Sequence, residues 1–298
     1  MALTLVPAMI RPGLRVRDVL GLFKLRIGVF ITVSALVGFA VTPGPRLSLA
    51  QVLVLAFTVM LASASAGAFN QYAEAESDRR MARTRNRPFA TGALRRTPAW
   101  LLLMAVMLTV SVGTAAWLLN AMSALYVFLG AFFYAVVYTL WLKRRSWLNI
   151  VVGGLSGSFA VLAGAAAVDP AVGVHGWLLA LALFLWTPPH FWSLAIAGQA
   201  DYAAAGIPML PVVVGTERAA RIVYGSAIAL ALASLLPVFV GAGWIYVLGA
   251  AGGGLYFVIK ARALAIAPSR LTAIRSFLAS LLQLGALLAA ASIDGALR

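Results

Sequence analysis

The sequence has no cysteine and very little charge. Charged residues make up 10% of its 298 positions and hydrophobic residues 63%, with a mean hydropathy of +0.98. A soluble domain is about half apolar and about a quarter charged, so this composition excludes an ordinary soluble protein and predicts a polytopic membrane protein. Without cysteine there are no disulfides and no thiolate chemistry. Any catalysis must therefore depend on acids, bases, metals or bound ligands.

Acidic side chains are scarce as well. Eight Asp and Glu residues stand against 23 Lys and Arg residues, which gives a net charge of +15. The basic residues lie between apolar runs, which is the pattern of topology determinants and of sites for anionic lipid or anionic substrate. We therefore predict membrane lipid and an anionic small molecule as partners, and no nucleic acid.

Nine apolar runs are long enough, at about 20 residues each, to cross a bilayer. All Lys and Arg residues except Arg46 and Arg298 fall on one side of the resulting map, which the positive-inside rule assigns to the cytoplasm. The sequence therefore predicts an all-α polytopic membrane protein with nine transmembrane helices bundled around a central cavity and a cytoplasmic N-terminus. The predicted helices cover residues 27–42, 49–69, 99–119, 121–142, 147–168, 176–197, 219–241, 243–261 and 273–293.

We expect a single domain over residues 1–298. Its first part, residues 1–19, lacks the order and cleavage site of a signal peptide and is predicted to be a retained cytoplasmic segment. The first predicted helix is short unless residues 20–26 extend it, with Lys24 and Arg26 reaching the lipid headgroups.

Two inner loops, after the second and the sixth predicted helix, both open with carboxylates where a helix leaves the membrane. Their positions predict a weak four-helix repeat of residues 20–142 and 147–261. Such a repeat would place Glu74 and Asp201 opposite each other across one central cavity.

The acid and amide side chains concentrate in residues 70–88, which read NQYAEAESDRRMARTRNRP. If the preceding helix continues inward, Asn70, Glu74 and Asp78 recur every fourth residue and share one face, whereas Glu76 lies on another. The three shared positions form a ladder of hard oxygen ligands, the kind that Mg²⁺ prefers.

Arginines follow this ladder directly, Arg83 and Arg87 among them. A guanidinium fork is suited to phosphate because it binds phosphate oxygens in pairs. Charged loops between membrane helices are often solvated connectors, but carboxylates at the membrane end of a helix are costly to desolvate unless they bind something. The stretch therefore predicts a metal-diphosphate site at a membrane surface.

A second stretch runs from Trp186 to Trp192 and contains Pro188, Pro189 and His190. Two adjacent prolines delete two backbone donors and are expected to break or kink a membrane helix, which is tolerated where the helix lines a cavity. An intramembrane histidine is often only an interhelical hydrogen-bond partner. Beside this double proline we favour a role in the cavity.

Together these residues resemble the protoheme IX farnesyltransferases, or haem O synthases, within the UbiA-type intramembrane prenyltransferases. The resemblance covers essentially the whole chain, and the string from Pro188 to Trp192 is more specific than the acidic ladder. The matching positions are Asn70, Glu74, Asp78, Met81, Arg83, Thr84, Asn86, Arg87, Pro88, the string Trp186 to Trp192, Asp201, Tyr202, Pro208, Leu210, Pro211, Val212 and Val213.

The resemblance implies a Mg²⁺-dependent transfer of a farnesyl group from farnesyl diphosphate to a vinyl carbon of haem b, giving haem O and diphosphate. It implies a bacterial inner membrane protein whose site faces the cytoplasm, with haem A synthase as a partner. The implied catalytic and metal-binding residues are Asn70, Glu74, Asp78 and Asp201. The implied substrate-binding residues are Arg83, Arg87, Lys143, Arg144, His190 and Tyr202, with Phe159, Phe191 and Trp192 along the prenyl tail.

The sequence departs from the family pattern at three places. Glu74 stands where aspartate is common, Leu25 stands where proline is usual, and residues 198–200 supply none of the usual basic side chains. Neutralisation of the diphosphate would therefore depend more on residues 79–87 and 143–145.

Two alternatives stay open. The first is another UbiA-type prenyltransferase, acting on an aromatic or quinone precursor, against which the string around His190 argues. The second, from a different class, is a membrane transporter or lipid-binding protein. Its charges are expected near the bilayer midplane, whereas these acids lie at the predicted cytoplasmic ends of helices.

Overall fold

The computed structural model of the protein describes residues 16–297. Most of the predicted cytoplasmic segment 1–19, and the arginine at position 298 that entered the topology prediction, lie outside the described residues. Within the described range the protein is built from helices, with no β-strand.

The helices follow one another with short connections. Those of the first half are α1 (Val16–Leu20), a 3₁₀ turn (Gly21–Phe23), α2 (Leu25–Val41), α3 (Leu49–Ala73), α4 (Ala75–Arg79), α5 (Pro88–Thr91), α6 (Pro98–Leu118), α7 (Ala121–Phe132) and a π-helix (Phe133–Leu142). Those of the second half are α8 (Asn149–Gly153), α9 (Leu155–Val168), α10 (Val174–Ala197), α11 (Gln199–Ala204), α12 (Leu210–Val214), α13 (Thr216–Ala233), a 3₁₀ segment (Leu236–Val240), α14 (Trp244–Ile266) and α15 (Arg270–Ala296).

Eight helical segments of the described chain are long and apolar enough to cross a membrane. They coincide with eight of the nine predicted spans, so the protein is an all-α, multi-pass integral membrane protein. The remaining predicted span is α2, which has 17 residues and is about 25 Å long at 1.5 Å per residue, somewhat less than a hydrocarbon core of about 30 Å. The count of nine crossings and the cytoplasmic N-terminus stay predictions.

The long helices form a closed ring. Neighbours in sequence pack on one another, in the order α2, α3, α6, α7, α9, α10, α13, α14 and α15, and α15 returns to pack on α2. Helix α9 is the most enclosed, with contacts to α2, α7 and α10. Within residues 20–142, and again within residues 147–261, each long helix packs on the next one in the sequence. The single domain and the repeat themselves stay predictions.

Glycines bring α2 and α9 into backbone contact. A Cβ atom at Gly164 would meet the carbonyl oxygen of Ala35, and one at Gly38 would meet the carbonyl oxygen of Val161. Small residues allow such close approach between membrane helices. This contact fixes one wall of the space inside the ring.

The π-helix Phe133–Leu142 continues α7 with i→i+5 hydrogen bonds, and the amide of Lys143 closes the last of them onto the carbonyl of Tyr138 at 2.9 Å. π-Turns are rare and are frequently found at functional sites. Here the wider turn presents Tyr134, Tyr138 and Lys143 to the central cavity together.

Pro188 and Pro189 do not break the helix, because α10 runs without interruption from Val174 to Ala197; a kink at this point stays a prediction. Both prolines are buried between neighbouring helices. Nearby hydroxyls occupy backbone carbonyls of the same helix, with Thr187 Oγ1 donating to Leu183 at 3.0 Å and Ser193 Oγ donating to Pro189 at 2.7 Å. Packing and side-chain hydroxyls of this kind allow membrane helices to tolerate proline.

Candidate active site

A cavity of about 860 Å³ lies inside the ring of helices. One end is polar and is formed where α3 leaves the bundle, together with the π-helix and the segment that follows α4. The other part is apolar and lies between α2, α9, α10 and α15. The cavity is therefore amphipathic, with charge at one end and hydrocarbon along the rest.

The acidic ladder follows one helical path. The amide of Glu74 donates to the carbonyl of Asn70 at 3.0 Å, and the amide of Asp78 donates to the carbonyl of Glu74 at 2.8 Å. The i→i+4 spacing therefore persists across the turn at Glu74 that separates α3 from α4. All three side chains are at most 3% exposed and line the cavity.

Each side chain of the ladder has a basic partner. The contacts join Asn70 Oδ1 to Lys24 Nζ at 2.5 Å, Glu74 Oε1 to Lys143 Nζ at 2.5 Å, and both carboxylate oxygens of Asp78 to Arg87 Nη1 at 2.8 and 3.0 Å. Buried charges are costly unless they are paired. Three cations from three separate segments therefore converge on the ladder, whose two carboxylates are each paired with one of them.

Lys24 was expected at the lipid headgroups, and the structure corrects this. Its backbone is left-handed, with φ 49° and ψ 41°, which separates the 3₁₀ turn from α2. Besides Asn70, its ammonium group donates to the hydroxyl of Tyr134 at 3.0 Å. Burial, and after it the positive charge of Arg87, lower the pKa of Lys24 to about 7. A ligand of negative charge would restore the protonated form.

A conformation of positive φ in a residue other than glycine is uncommon and tends to occur at functional sites. Sequence reasoning could not find it, because nothing in the letters around Lys24 distinguishes a left-handed lysine from a headgroup anchor.

Glu76 lies apart from the ladder, as its helical position predicts. Its side chain is 54% exposed and pairs with Arg79 at 3.3 Å and Arg96 at 3.2 Å. Arg79 in turn donates through Nε to the carbonyl of Ala90 at 2.7 Å. These contacts hold the charged loop against the end of the bundle.

The structure brings only some of the predicted basic residues to the cavity. Arg83, Arg87 and Lys143 line it. Arg144 is not among the lining residues, and its Nη2 lies 3.5 Å from Ser77 Oγ on α4.

The second half contributes less than the predicted repeat suggests. Tyr202 on α11 lines the cavity, but Asp201 is not among the lining residues. Across residues 16–297 the carboxylate of Asp201 has no ion pair or hydrogen bond with another side chain. Its catalytic and metal-binding role stays a prediction.

His190 lines the apolar part of the cavity and is 6% exposed. Its ring stacks on Trp186 at 4.0 Å and on Phe277 at 4.5 Å between centroids, and Phe191 meets it edge-on at 5.2 Å. Nδ1 lies 2.7 Å from Ser280 Oγ. The ring is therefore fixed by its neighbours and reaches the cavity along one edge.

Of the three aromatic residues predicted along the prenyl tail, one lines the cavity and two do not. Phe191 lines the cavity. Trp192 is 4% exposed and packs in a separate core cluster, and Phe159 stacks on Tyr126 at 6.2 Å without reaching the cavity wall.

The ladder has the donor chemistry of a magnesium site. Asn70, Glu74 and Asp78 supply hard oxygen atoms on one face, and Glu74 Oε1 is buried without an aligned hydrogen-bond donor although Lys143 lies beside it. Within the described range, no three Asp, Glu or His side chains form a ready-made metal-binding group. The residues therefore fit an ion that arrives with its own oxygen ligands, such as a diphosphate complex.

Fold and cavity together define a class: a helical membrane protein that encloses a charged pocket for a long apolar molecule with an anionic end. Residues 31–284 match the UbiA prenyltransferase family. Protoheme IX farnesyltransferase 2 of Paramagnetospirillum magneticum is 53% identical over 272 residues, 91% of this chain and 94% of that protein. Protoheme IX farnesyltransferase of Alkalilimnicola ehrlichii is 41% identical over 285 residues, 93% of this chain and 92% of its own length. The chain belongs to the UbiA prenyltransferase family and is a prenyltransferase.

Solved structures share the fold. A digeranylgeranylglyceryl phosphate synthase superposes with a TM-score of 0.78 at 16% identity and covers 95% of this chain and 99% of its own. A UbiA homologue from Archaeoglobus fulgidus, bound to GPP and Mg²⁺, superposes with a TM-score of 0.72 at 18% identity over 91% of this chain and 99% of its own. Membership of this family sets aside the transporter or lipid-binding alternative.

Proposed function

We propose that this prenyltransferase transfers a farnesyl group from farnesyl diphosphate to one vinyl carbon of haem b while water adds to the neighbouring vinyl carbon, giving haem O, diphosphate and a proton. One observation carries the proposal: a single cavity joins a cation-rich acidic ladder to an apolar chamber that holds a stacked histidine. The first part suits an allylic diphosphate and the second suits a flat, metal-containing acceptor. The names of the relatives at 53% and 41% identity support the same reaction.

The polar end would bind the diphosphate. Lys24, Lys143 and Arg87 each contact one member of the ladder, and Arg83 is an exposed residue that lines the cavity. Phosphate oxygens would attract these cations away from the ladder, because charge-assisted bonds to phosphate are strong. As the bond between the farnesyl carbon and the diphosphate oxygen breaks, the same cations would stabilise the charge on the leaving group.

Asn70, Glu74 and Asp78 would hold Mg²⁺ once their cations turn to the substrate, with Asp201 as the predicted ligand of the second half. When bound, Mg²⁺ supplies Lewis-acid neutralisation of the diphosphate charge. The ladder residues keep the anionic group at the mouth of the chamber, so that the allylic carbon lies toward the apolar part.

The apolar chamber would exclude water from the allylic cation while the new carbon–carbon bond to the vinyl group forms. The positive charge then lies on the vinyl carbon next to the porphyrin, where a water molecule would add and lose a proton to leave the hydroxyl group of the product. Phe191 and the stacked pair of Trp186 and His190 line this chamber, and Tyr202 borders it. They would orient the porphyrin through ring contacts and His190.

The topology supports a site that opens to the cytoplasm, since the predicted cytoplasmic loops carry the cations of the polar end. We also propose the bacterial inner membrane as its location and haem A synthase as the partner that takes the product, because the relatives at 53% and 41% identity are protoheme IX farnesyltransferases of bacteria.

A second candidate acceptor is an aromatic or quinone precursor, since other UbiA-type enzymes prenylate such molecules. The observation against it is the imidazole in the acceptor part of the cavity, because a metal-free ring has no need of a nitrogen ligand there.

The proposal is tested by incubating purified protein with haem b, farnesyl diphosphate and Mg²⁺ and weighing the haem product by mass spectrometry. We expect a farnesylated haem, no product with Asp78→Ala, and full product with Glu76→Ala, whose carboxylate lies outside the cavity. Release of diphosphate without a change in the mass of haem, together with product from a quinone precursor, would replace the haem assignment by the second candidate.

A further inference from the structure

Ser280 on α15 contacts two residues of α10 that line the acceptor chamber, Trp186 and His190. Its backbone carbonyl accepts a hydrogen bond from Trp186 Nε1 at 2.8 Å, and its hydroxyl lies 2.7 Å from His190 Nδ1. The residue is fully buried. One serine therefore positions both members of the stacked pair on α10.

The hydroxyl proton of Ser280 is already committed. Ser280 Oγ donates to the carbonyl of Phe277, one turn earlier in α15, at 2.6 Å. A hydroxyl has one proton and can otherwise only accept. At the short contact with His190 the proton must therefore come from the imidazole, so Nδ1 is the protonated nitrogen.

The protonation state of Nε2 of His190 follows from that of Nδ1. An imidazole enclosed by Trp186 and Phe277 is neutral, since burial of an unpaired charge is costly. A neutral imidazole with a proton on Nδ1 has a lone pair on Nε2. Throughout residues 16–297 no group donates a hydrogen bond to that nitrogen, and His190 lies on the cavity wall.

We propose that Ser280 is a positioning residue that holds His190 in the Nδ1–H tautomer, so that an unprotonated Nε2 faces the acceptor chamber as a ligand for the iron of the porphyrin substrate. The iron half of this inference rests on the proposed function; the tautomer half does not. A hydrogen bond from the second nitrogen is the usual way in which proteins fix a histidine ligand for a metal.

The tautomer is measured without any substrate. The chain has two histidines, so His175→Gln leaves His190 as the single histidine in ¹⁵N-histidine-labelled protein. We expect one protonated and one unprotonated ring nitrogen, with the proton on Nδ1. In Ser280→Ala the proton is expected to redistribute to Nε2, whereas Ser280→Thr keeps the hydroxyl and the original spectrum.

Ser276→Ala is the matched control. Ser276 lies one turn earlier on α15, and its hydroxyl contacts Ser193 on α10 at 2.9 Å without touching the imidazole. It removes a buried hydroxyl from the same helix interface, so a general loosening would alter the ¹⁵N spectrum in both serine variants. A proton on Nε2 in the protein with native Ser280, or equal spectra for Ser280→Ala and Ser276→Ala, would overturn the inference.

Haem titration tests the iron half. Loss of an outer-shell partner of a metal ligand typically lowers affinity by about 10- to 100-fold, so Ser280→Ala is expected to weaken haem binding by that factor and Ser276→Ala to leave it unchanged. A shifted tautomer with unchanged haem affinity overturns iron ligation but keeps the positioning role. Failure of the protein with native Ser280 to bind haem at all would refute the proposed function and leave the tautomer result standing.

Discussion

Lys143 Nζ lies 2.5 Å from Glu74 Oε1, with both side chains less than 15% exposed. The lysine follows the π-helix, and the glutamate lies at the turn between α3 and α4. The pair therefore joins the two segments that form the polar end of the cavity. The two residues are far apart in the sequence, and each neutralises the charge of the other.

Replacing Lys143 by Ala leaves the Glu74 carboxylate buried and unpaired. Removal of one partner of a buried ion pair costs about 3–5 kcal/mol, so we expect a lower unfolding temperature in detergent and loss of turnover. Mg²⁺ should raise the unfolding temperature of Lys143→Ala more than that of the unmodified protein, because the freed carboxylate can take the ion. Equal responses to Mg²⁺ would contradict a metal-binding role for Glu74.

Replacing Arg87 by Ala is expected to lower catalytic efficiency toward farnesyl diphosphate at least about 30-fold, since losing one member of a buried charged pair costs about 2–5 kcal/mol. Arg96→Ala is the control. Arg96 pairs with the exposed Glu76, and exposed pairs contribute about 0–1 kcal/mol, so the change should be at most about fivefold. Steady-state kinetics and unfolding temperatures are to be measured for both variants. Similar losses of catalytic efficiency in the two would show that Arg87 does not bind the diphosphate.

Asp201→Asn tests whether the second half of the chain contributes to the predicted site. The carboxylate is partly exposed and unpaired within the described chain, so we expect unfolding temperature to stay the same. If Asp201 joins the site when substrate binds, turnover should fall about 10²-fold, the usual effect of removing one preorganised electrostatic group. Turnover within threefold of the unmodified enzyme would confine the metal site to the ladder on α3 and α4.

Gly164→Ala tests the contact between α2 and α9. The added methyl group meets the backbone of Ala35, which cannot rotate away, so we expect a loss of about 1–3 kcal/mol in the free energy of unfolding. Gly113→Ala on α6 has no atom within 4 Å of the new methyl group and should change stability by less than about 1 kcal/mol, in the stabilising direction. Thermal unfolding in detergent distinguishes the two; equal shifts would show that the helices can separate at Gly164.

The helical bundle and the acidic ladder were predictable because both depend on periodicity. Apolar runs of spanning length and the four-residue spacing of Asn70, Glu74 and Asp78 are local properties of the sequence. The π-helix was not predictable, since the letters of residues 133–142 are as apolar as those of an ordinary membrane helix. Ser280 gave no signal either, because buried serines are common between membrane helices.

The expected break in α10 is absent for a physical reason. Pro188 and Pro189 lack backbone N–H groups, but this leaves only a few nearby carbonyl groups without a donor. Packing against neighbouring helices therefore decides whether the helix continues. Lys24 is a similar case. Its side chain is long enough to reach either headgroups or the cavity, and the left-handed turn of its backbone selects the cavity.

The π-helix Phe133–Leu142 makes the position of Lys143 depend on length as well as on sequence. A π-turn takes in one more residue than an α-turn, so the segment behaves as though it carried an insertion. Substitutions there that favour ordinary α-helical winding without a change in length would rotate everything after the segment about the helix axis by roughly 100°. The lysine would then turn away from Glu74 although no charged residue had been altered, and activity would depend on the winding of a hydrocarbon segment.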